Sequence, residues 1–252
     1  AVDSDPVVNI YAFPDPATFA RTAFIEALGR AGVTVTGDPV ATNPDDQLPS
    51  IADVEAAPGV AELTSLPLAE ELTYVLKVSY NLGAETMICR LAIAAGSTDC
   101  EDGMVKAAEI WDAAGLDTEG ASLIDGSGLT GNLITAANQV QLQTIMAQRP
   151  DADRWKATLP ILGVDGSLAL VSPDSPAAGQ VSAKTGTLVG GDSFNGRYRI
   201  ATKSLGGYID TASGRRFAFA IIATESMFPD IEGIFAANDD VGDVAAIIQQ
   251  NN

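Results

Sequence analysis

Two short segments of this chain carry side chains that suit nucleophilic acyl transfer. Lys184, Thr185 and Gly186 offer a fixed cation, a hydroxyl donor and a position without Cβ, where a substrate backbone can approach closely. Ser79 and Asn81, about a hundred residues earlier, form a Ser-x-Asn element. Together they are two of the three elements of a serine acyl-transfer site that works without histidine. Because the chain has no histidine, we predict that any hydrolase site here uses lysine or a carboxylate in its place.

The third element of such a site, S-x-x-K, is missing. The residues three places before the five lysines are Tyr74, Gly103, Asp153, Val181 and Ile200. None is serine, so we expect no nucleophile in this chain and an attacking hydroxyl from elsewhere. Ser127 lies between two glycines, but Asp125 and Leu129 do not match the outer glycines of G-x-S-x-G.

Composition excludes several classes of function. The chain has no histidine, which removes the usual general base and the commonest transition-metal ligand, so no metal and no cofactor are predicted. A net charge of −19 with 14 Lys plus Arg argues against nucleic acid or an anionic membrane as a partner. Apolar runs such as 217–223 are far shorter than the roughly 20 residues of a membrane span. Residues 1–6 lack signal-peptide features, so we expect any export signal to be removed or to lie outside this sequence.

The chain has two cysteines, Cys89 and Cys100, with Gly96 between them. A helix that carries the first could end at the glycine and turn back to the second, so a disulfide is feasible in an exported protein. Two buried thiols that never meet are the alternative. The absence of C-x-x-C argues against a redox motif or a zinc site.

The order of elements predicts a helical lobe followed by an antiparallel sheet. Apolar periodicity predicts helices near 16–32, 67–78, 82–95, 101–114, 135–148 and 239–250. Alternation predicts strands at 33–36, 181–184, 206–211 and 216–222. Residues 37–64 are rich in Pro, Asp and Asn and are predicted to form a loose connection with at most one strand.

Four blocks in this order carry a resemblance to a known family. They are 79–86, 125–130, 183–188 and 207–219. The series resembles the class C penicillin-binding proteins, the D-alanyl-D-alanine carboxypeptidases and endopeptidases of cell-wall metabolism. The resemblance implies an α/β (α+β) fold of the β-lactamase/transpeptidase type, an antiparallel sheet flanked by helices with a helical lobe. Residues 1–252 would then be the C-terminal portion of a single such domain, whose N-terminal part is absent.

The resemblance also implies roles for individual residues. Ser79 would relay a proton to the leaving amine, Asn81 would hold the substrate amide, and Lys184 would stabilise charge and orient the substrate. The implied substrate-binding residues are Thr185, Gly186 and Thr187, whose two hydroxyls would bind the terminal carboxylate. The backbone N–H of Thr187 would form half of an oxyanion hole.

One departure from the family pattern concerns charge. The family usually has an arginine after its Gly-Leu-Ser segment, where this chain has Thr130 and Gly131. The segment 189–203 is longer than usual and carries three cations, Arg197, Arg199 and Lys203. We hypothesise that this segment is a loop that supplies the lost charge. The alternative is that these are ordinary exposed charges on strands.

The resemblance implies a serine D,D-peptidase that acts on peptidoglycan stem peptides and is acylated by β-lactams. Its partners would be the wall peptide, β-lactams and an N-terminal segment or chain that carries S-x-x-K; this chain alone would be inactive. An extracytoplasmic location follows from such a substrate. The alternatives are a non-catalytic relative that binds wall peptides or a partner protein and, more weakly, a β-lactamase.

Overall fold

A computed structural model describes residues 13–42, 49–129 and 131–252. The chain divides into two compact units, Ala1–Thr64 and Ser65–Asn252. The first unit contains helix α1 (Pro16–Arg30), which begins where the Asp15 carboxylate accepts a hydrogen bond from the backbone of Thr18 at 3.0 Å. Helix α2 (Ile51–Ala56) begins with a capping box formed by Ser50 and Asp53.

The strand predicted at 33–36 is wrong. These residues are in neither a helix nor a strand, because no strand in the described chain pairs with them. In the described part of 37–64 the structure has α2 and no strand, and residues 43–48 lie outside the described residues. The capping box at Ser50 is the local reason that this segment becomes helical.

The second unit contains six α-helices in its described residues. They are α3 (Leu68–Lys77), α4 (Asn81–Ala94), α5 (Glu101–Ala113), α6 (Ala136–Ala147), α7 (Ala152–Thr158) and α8 (Ile231–Gln250). The predicted helices are confirmed, with two differences. Helix α7 was missed because a helix of two turns carries too little periodicity to be recognised. Helix α8 begins at Ile231 rather than near 239, because the Asp230 carboxylate caps it through the backbone of Gly233 at 3.0 Å.

Two antiparallel sheets follow the helical lobe. A short ribbon joins β1 (Ala121–Ser122) to β2 (Leu133–Ile134). The main sheet has the order β3-β4-β5, with β3 (Val181–Asp192), β4 (Arg197–Asp210) and β5 (Arg216–Phe228). These strands cover the predicted ones except for residue 211, which lies just beyond β4. They are longer than predicted, because β3 and β4 continue as a hairpin through the segment that was expected to be a loop.

The core lies where α8 packs against the central strand. Leu205 and Ile209 on one face of β4 are fully buried, together with Ala245 of α8 and Val181 of β3. Residues two apart in a strand share a face, so this burial fixes which side chains of β4 point toward α8. The antiparallel sheet flanked by helices agrees with the predicted fold class. Strand β3 is left at one edge of the sheet, where it can border a cleft.

Helices α4 and α5 are joined covalently. Cys89 of α4 and Cys100, which directly precedes α5, form a disulfide with a sulfur–sulfur distance of 2.03 Å. Such a cross-link suits an oxidising compartment. Among the described residues, no helix combines the length and the apolar content that crossing a bilayer requires.

Candidate active site

Ser79 lies at a sharp junction between two helices. Helix α3 ends at Lys77 and α4 begins at Asn81, and Ser79 between them has a φ of 55°. This left-handed conformation is normally taken by glycine after a helix, and it costs a residue with a Cβ about 1 kcal/mol or more. The backbone N–H of Tyr80 closes the turn on the carbonyl of Val75 at 2.9 Å. The junction therefore holds the Ser79 hydroxyl in a defined position.

Lys77 anchors the end of α3 beside the main sheet. Its ammonium group donates to the carbonyl of Leu159 at 2.6 Å and contacts the Asp165 carboxylate at 2.6 Å. The same carboxylate accepts the backbone N–H of Ile161 at 2.9 Å. This network ties the residues before Ser79 to the segment that leads into β3. Sequence analysis missed it, because an ion pair between residues so far apart in the chain leaves no local pattern.

The structure brings Ser79 and Lys184 together. The Lys184 Nζ atom donates to the Ser79 Oγ atom at 2.8 Å across a separation of 105 residues. It also donates to the carbonyl of Thr185 at 2.6 Å. The two predicted motifs thus share one site, with the cation on strand β3 and the hydroxyl at the helix junction.

A cleft of about 550 Å³ surrounds this contact. All six residues predicted for catalysis and substrate binding line it: Ser79, Asn81, Lys184, Thr185, Gly186 and Thr187. The Thr185 hydroxyl lies 2.8 Å from the hydroxyl of Ser167. A Cβ at Gly186 would lie 2.4 Å from the Ser204 hydroxyl, so any larger residue there would displace that group. Among the described residues, no cluster of three or more Asp, Glu or Cys side chains is placed to hold a metal ion.

Two lysines, Lys184 and Lys203, place positive charge in and beside the cleft. Burial, and secondarily repulsion from Lys203, lowers the pKa of Lys184 to about 8. Burial likewise lowers the pKa of Lys203 to about 8. Both ammonium groups are positive near neutral pH, in surroundings that weaken the screening of charge by water.

The turn at 125–129 forms another wall of the cleft. The Asp125 carboxylate accepts the backbone N–H of Gly128 at 2.6 Å, and Glu85 of α4 accepts the Ser127 hydroxyl and the N–H of Gly126 at 3.2 Å. A Cβ at Gly126 would meet the side chain of Ile88 at 2.7 Å, so this glycine allows the turn to pack closely on α4. The Ser127 hydroxyl is therefore a structural tether. Glu85 lies four residues after Asn81, a spacing that places both on one side of the helix and could have indicated its role.

The loop hypothesis for the missing charge requires correction. Residues 189–203 continue strands β3 and β4, because the two strands pair as a long hairpin. Arg197 binds Asp192 at 2.9 Å, and Arg199 binds Glu225 at 2.6 Å. Both arginines are thus paired on exposed strands, as in the alternative interpretation. Lys203 differs, because its ammonium group lies 2.7 Å from the hydroxyl of Thr187.

Several proteins of known sequence are similar to this chain. The model of the D-Ala-D-Ala carboxypeptidase 3 (S13) family matches residues 1–234. A D-alanyl-D-alanine carboxypeptidase from Actinomadura sp. (strain R39) is 35% identical over 227 residues, which cover 87% of this chain and 39% of the relative. Carboxypeptidase DacB from Mycolicibacterium smegmatis is 34% identical over 179 residues, 66% of this chain and 36% of the relative. The chain thus spans less than half the length of these curated relatives.

Solved structures agree in fold. Penicillin binding protein 4 (dacB) from Haemophilus influenzae, complexed with a β-lactam, superposes with a TM-score of 0.57 and 23% identity over 73% of this chain and 42% of that one. A class A β-lactamase from Bacteroides cellulosilyticus gives a TM-score of 0.50 and 16% identity over 74% of this chain and 65% of that one. At these identities the likeness concerns the fold alone. The match of the family model over nearly the whole chain places this protein in the D-Ala-D-Ala carboxypeptidase 3 (S13) family, as the resemblance to class C penicillin-binding proteins predicted.

Proposed function

We propose that residues 1–252 are the C-terminal portion of a serine D,D-peptidase domain that cleaves peptidoglycan stem peptides through an acyl-enzyme. The observation that carries this proposal is the contact of 2.8 Å between Lys184 and Ser79 in a cleft bordered by a Lys-Thr-Gly-Thr strand. A wall substrate requires an extracytoplasmic location, which the disulfide between Cys89 and Cys100 supports.

Ser79 is suited to carry a proton to the leaving amine. A protonated lysine can only donate hydrogen bonds, so the Ser79 oxygen accepts from Lys184 and its own proton is available to another group. The ammonium group also stabilises negative charge that develops on the serine oxygen as it gives up that proton. Asn81 lines the same cleft and can bind the substrate amide through its side chain.

Strand β3 is suited to hold the peptide on the other side of the reacting bond. It is an edge strand of the main sheet, and an extended peptide can pair with such an edge through backbone hydrogen bonds. Thr185 and Thr187 offer hydroxyl donors along it, and the N–H of Thr187 serves the oxyanion in this proposal.

The attacking serine belongs to a segment outside this chain in our proposal. The matched region covers only 39% and 36% of the two curated relatives, which leaves room in such proteins for an S-x-x-K segment. The outer edge of β5 has no strand partner in the described part of the chain. Its unpaired backbone groups can accept a strand from the missing segment, which would bring the nucleophile to the same sheet.

Labelling with a fluorescent penicillin tests this proposal. We expect the 252-residue chain alone to form no covalent adduct, and the full-length protein, or the chain mixed with its upstream half, to form one adduct per molecule. The reason is that loss of the attacking group removes about as much rate as loss of the whole catalytic set. Intact-mass spectrometry and gel fluorescence measure the result.

The control is full-length protein with alanine in place of the S-x-x-K serine, which should not be labelled. Labelling of the 252-residue chain alone would show that the nucleophile lies within it. A folded full-length protein that is never labelled and hydrolyses no D-alanyl-D-alanine peptide would instead indicate a non-catalytic binding module.

We also expect acylation to slow as the pH rises through about 8. Lys184 and Lys203 both have a pKa lowered to about 8, so their charges are present below that pH and are lost above it. The second-order rate of acylation of the full-length protein between pH 6.5 and about 9.5 measures this effect. A rate that only increases across this range would mean that the neutral lysines are the active form.

A further inference from the structure

Lys203 is a buried cation whose charge enters the expected pH dependence, but to which the proposed mechanism assigns no contact with Ser79 or with the substrate. Its side chain is 2% exposed, on the central strand β4. It shares a face of the strand with Leu205 and Ile209, which pack toward α8. Its ammonium group donates to the Thr187 hydroxyl at 2.7 Å and to the side-chain oxygen of Asn238 in α8. Two neutral acceptors compensate only part of the cost of burying a charge.

The other lysines show what is missing around Lys203. The chain has five lysines, and Lys77, Lys106 and Lys156 each contact a carboxylate at 2.6–2.8 Å. In the described part of the chain, no carboxylate lies within 4.0 Å of the ammonium groups of Lys184 and Lys203. Acidic residues are abundant in this chain, which has a net charge of −19. Two neighbouring cations without a carboxylate therefore indicate an anion that comes with the ligand.

The direction of one hydrogen bond links Lys203 to the cleft. An ammonium group has no acceptor, so the Thr187 oxygen accepts from Lys203 and the hydroxyl proton of Thr187 must point elsewhere. Thr187 is exposed and lines the cleft, so its hydroxyl can donate to a ligand there. A hydroxyl that accepts from a cation is polarised and becomes a stronger donor.

We propose that Lys203 is a positioning residue that acts through Thr187 and makes the cleft select substrates with a carboxylate on the carbon bonded to the leaving nitrogen. This inference rests on the proposed function: the resemblance to the family already implies that the Thr185 and Thr187 hydroxyls bind the terminal carboxylate, and the new element is the buried Lys203 behind Thr187. It also assigns the missing positive charge to strand β4 rather than to an exposed loop. The ligand carboxylate would accept a hydrogen bond from Thr187 and so extend the chain of hydrogen bonds that links Asn238, Lys203 and Thr187.

A pair of β-lactams tests this inference in the full-length protein: benzylpenicillin, which has such a carboxylate, and its uncharged methyl ester. We expect Lys203→Met to lower the second-order rate of acylation by benzylpenicillin about 10- to 100-fold, the effect of losing a charge-assisted hydrogen bond. Acylation by the ester should change less than about threefold, because it has no charge to be recognised. The decisive quantity is the ratio of the acylation rate with the acid to the rate with the ester. A merely structural role of Lys203 would lower both rates equally and leave this ratio unchanged.

Three further variants sharpen the result. Lys203→Gln removes the charge but can still donate hydrogen bonds, so it should lose the same preference even if Lys203→Met folds poorly. Lys203→Met should have little further effect on the preference when Thr187 is already replaced by valine, since the lysine acts through that hydroxyl. Lys106→Met, which removes an exposed lysine of α5, should leave both rates unchanged.

The outcomes separate this inference from the proposed function. Equal losses with the acid and the ester, or no loss with either, would overturn the role of Lys203 and leave the acyl-enzyme proposal intact. A wild-type protein that neither compound acylates would overturn both.

Discussion

Replacing Ser79 with glycine in the full-length protein is expected to lower the rate of acylation about 10²- to 10⁴-fold, the usual contribution of a positioned proton-transfer group. The hydroxyl lies 2.8 Å from Lys184, and the chain has no histidine that could take its place. Glycine is the informative substitution because residue 79 has a φ of 55°, which glycine adopts without strain. The variant therefore removes the hydroxyl and leaves the helix junction intact.

A matched control is available in the same chain. Ser193 and Asn195 form a second Ser-x-Asn element, which lies at the exposed turn between β3 and β4. We expect Ser193→Ala to be acylated at the wild-type rate. Thermal unfolding should show that Ser79→Gly is folded. Ser79→Ala should be less stable than Ser79→Gly by about 1 kcal/mol, because alanine, like the native serine, has a Cβ that disfavours the left-handed backbone. A rate for Ser79→Gly within threefold of wild type would exclude Ser79 as the proton carrier.

Replacing Lys184 with methionine is expected to lower the rate of acylation about 10²- to 10³-fold, as removal of one preorganised charge or donor does in related chemistry. The ammonium group holds the Ser79 hydroxyl and is the cation nearest to it in the described residues. Methionine keeps most of the length of the side chain, so the loss should reflect charge and hydrogen bonding rather than packing. Rapid-mixing measurements of the second-order acylation rate detect this change.

Lys184→Arg provides a second measurement. Arginine keeps the positive charge, but its planar guanidinium group cannot reproduce the compact donor that reaches both Ser79 and the carbonyl of Thr185. We expect it to recover only a part of the rate. Lys106→Met serves as the lysine control here as well, because Lys106 pairs with Glu109 on α5. Wild-type rates in Lys184→Met would show that the contact with Ser79 has no part in the reaction.

Much of the fold was predictable because its signals are local. The helices of the second unit follow from apolar periodicity, and the caps at Asp15 and Thr135 start α1 and α6 as expected for such residues. The order of the four blocks predicted the family. The strand prediction at 33–36 failed because it used only the local pattern. These residues alternate as a strand does, but a strand forms only where another strand pairs with it, and none in the described chain does so here.

The residue types of the candidate site came from the sequence, because motif identity depends on spacing along the chain. The sequence alone determined that lysine or a carboxylate must serve where other hydrolases use histidine, that this chain contains no S-x-x-K, and which residues are candidates at 79–81 and 184–187. Tertiary structure decided which of them meet. Lys184 reaches Ser79 across 105 residues only because the helix junction and the edge strand lie side by side. Only the structure shows that Lys203 is buried while Arg197 and Arg199 are exposed. The pairing of β4 with β3 places Lys203 opposite Thr187, and such burial and register depend on neighbours that are remote in the chain.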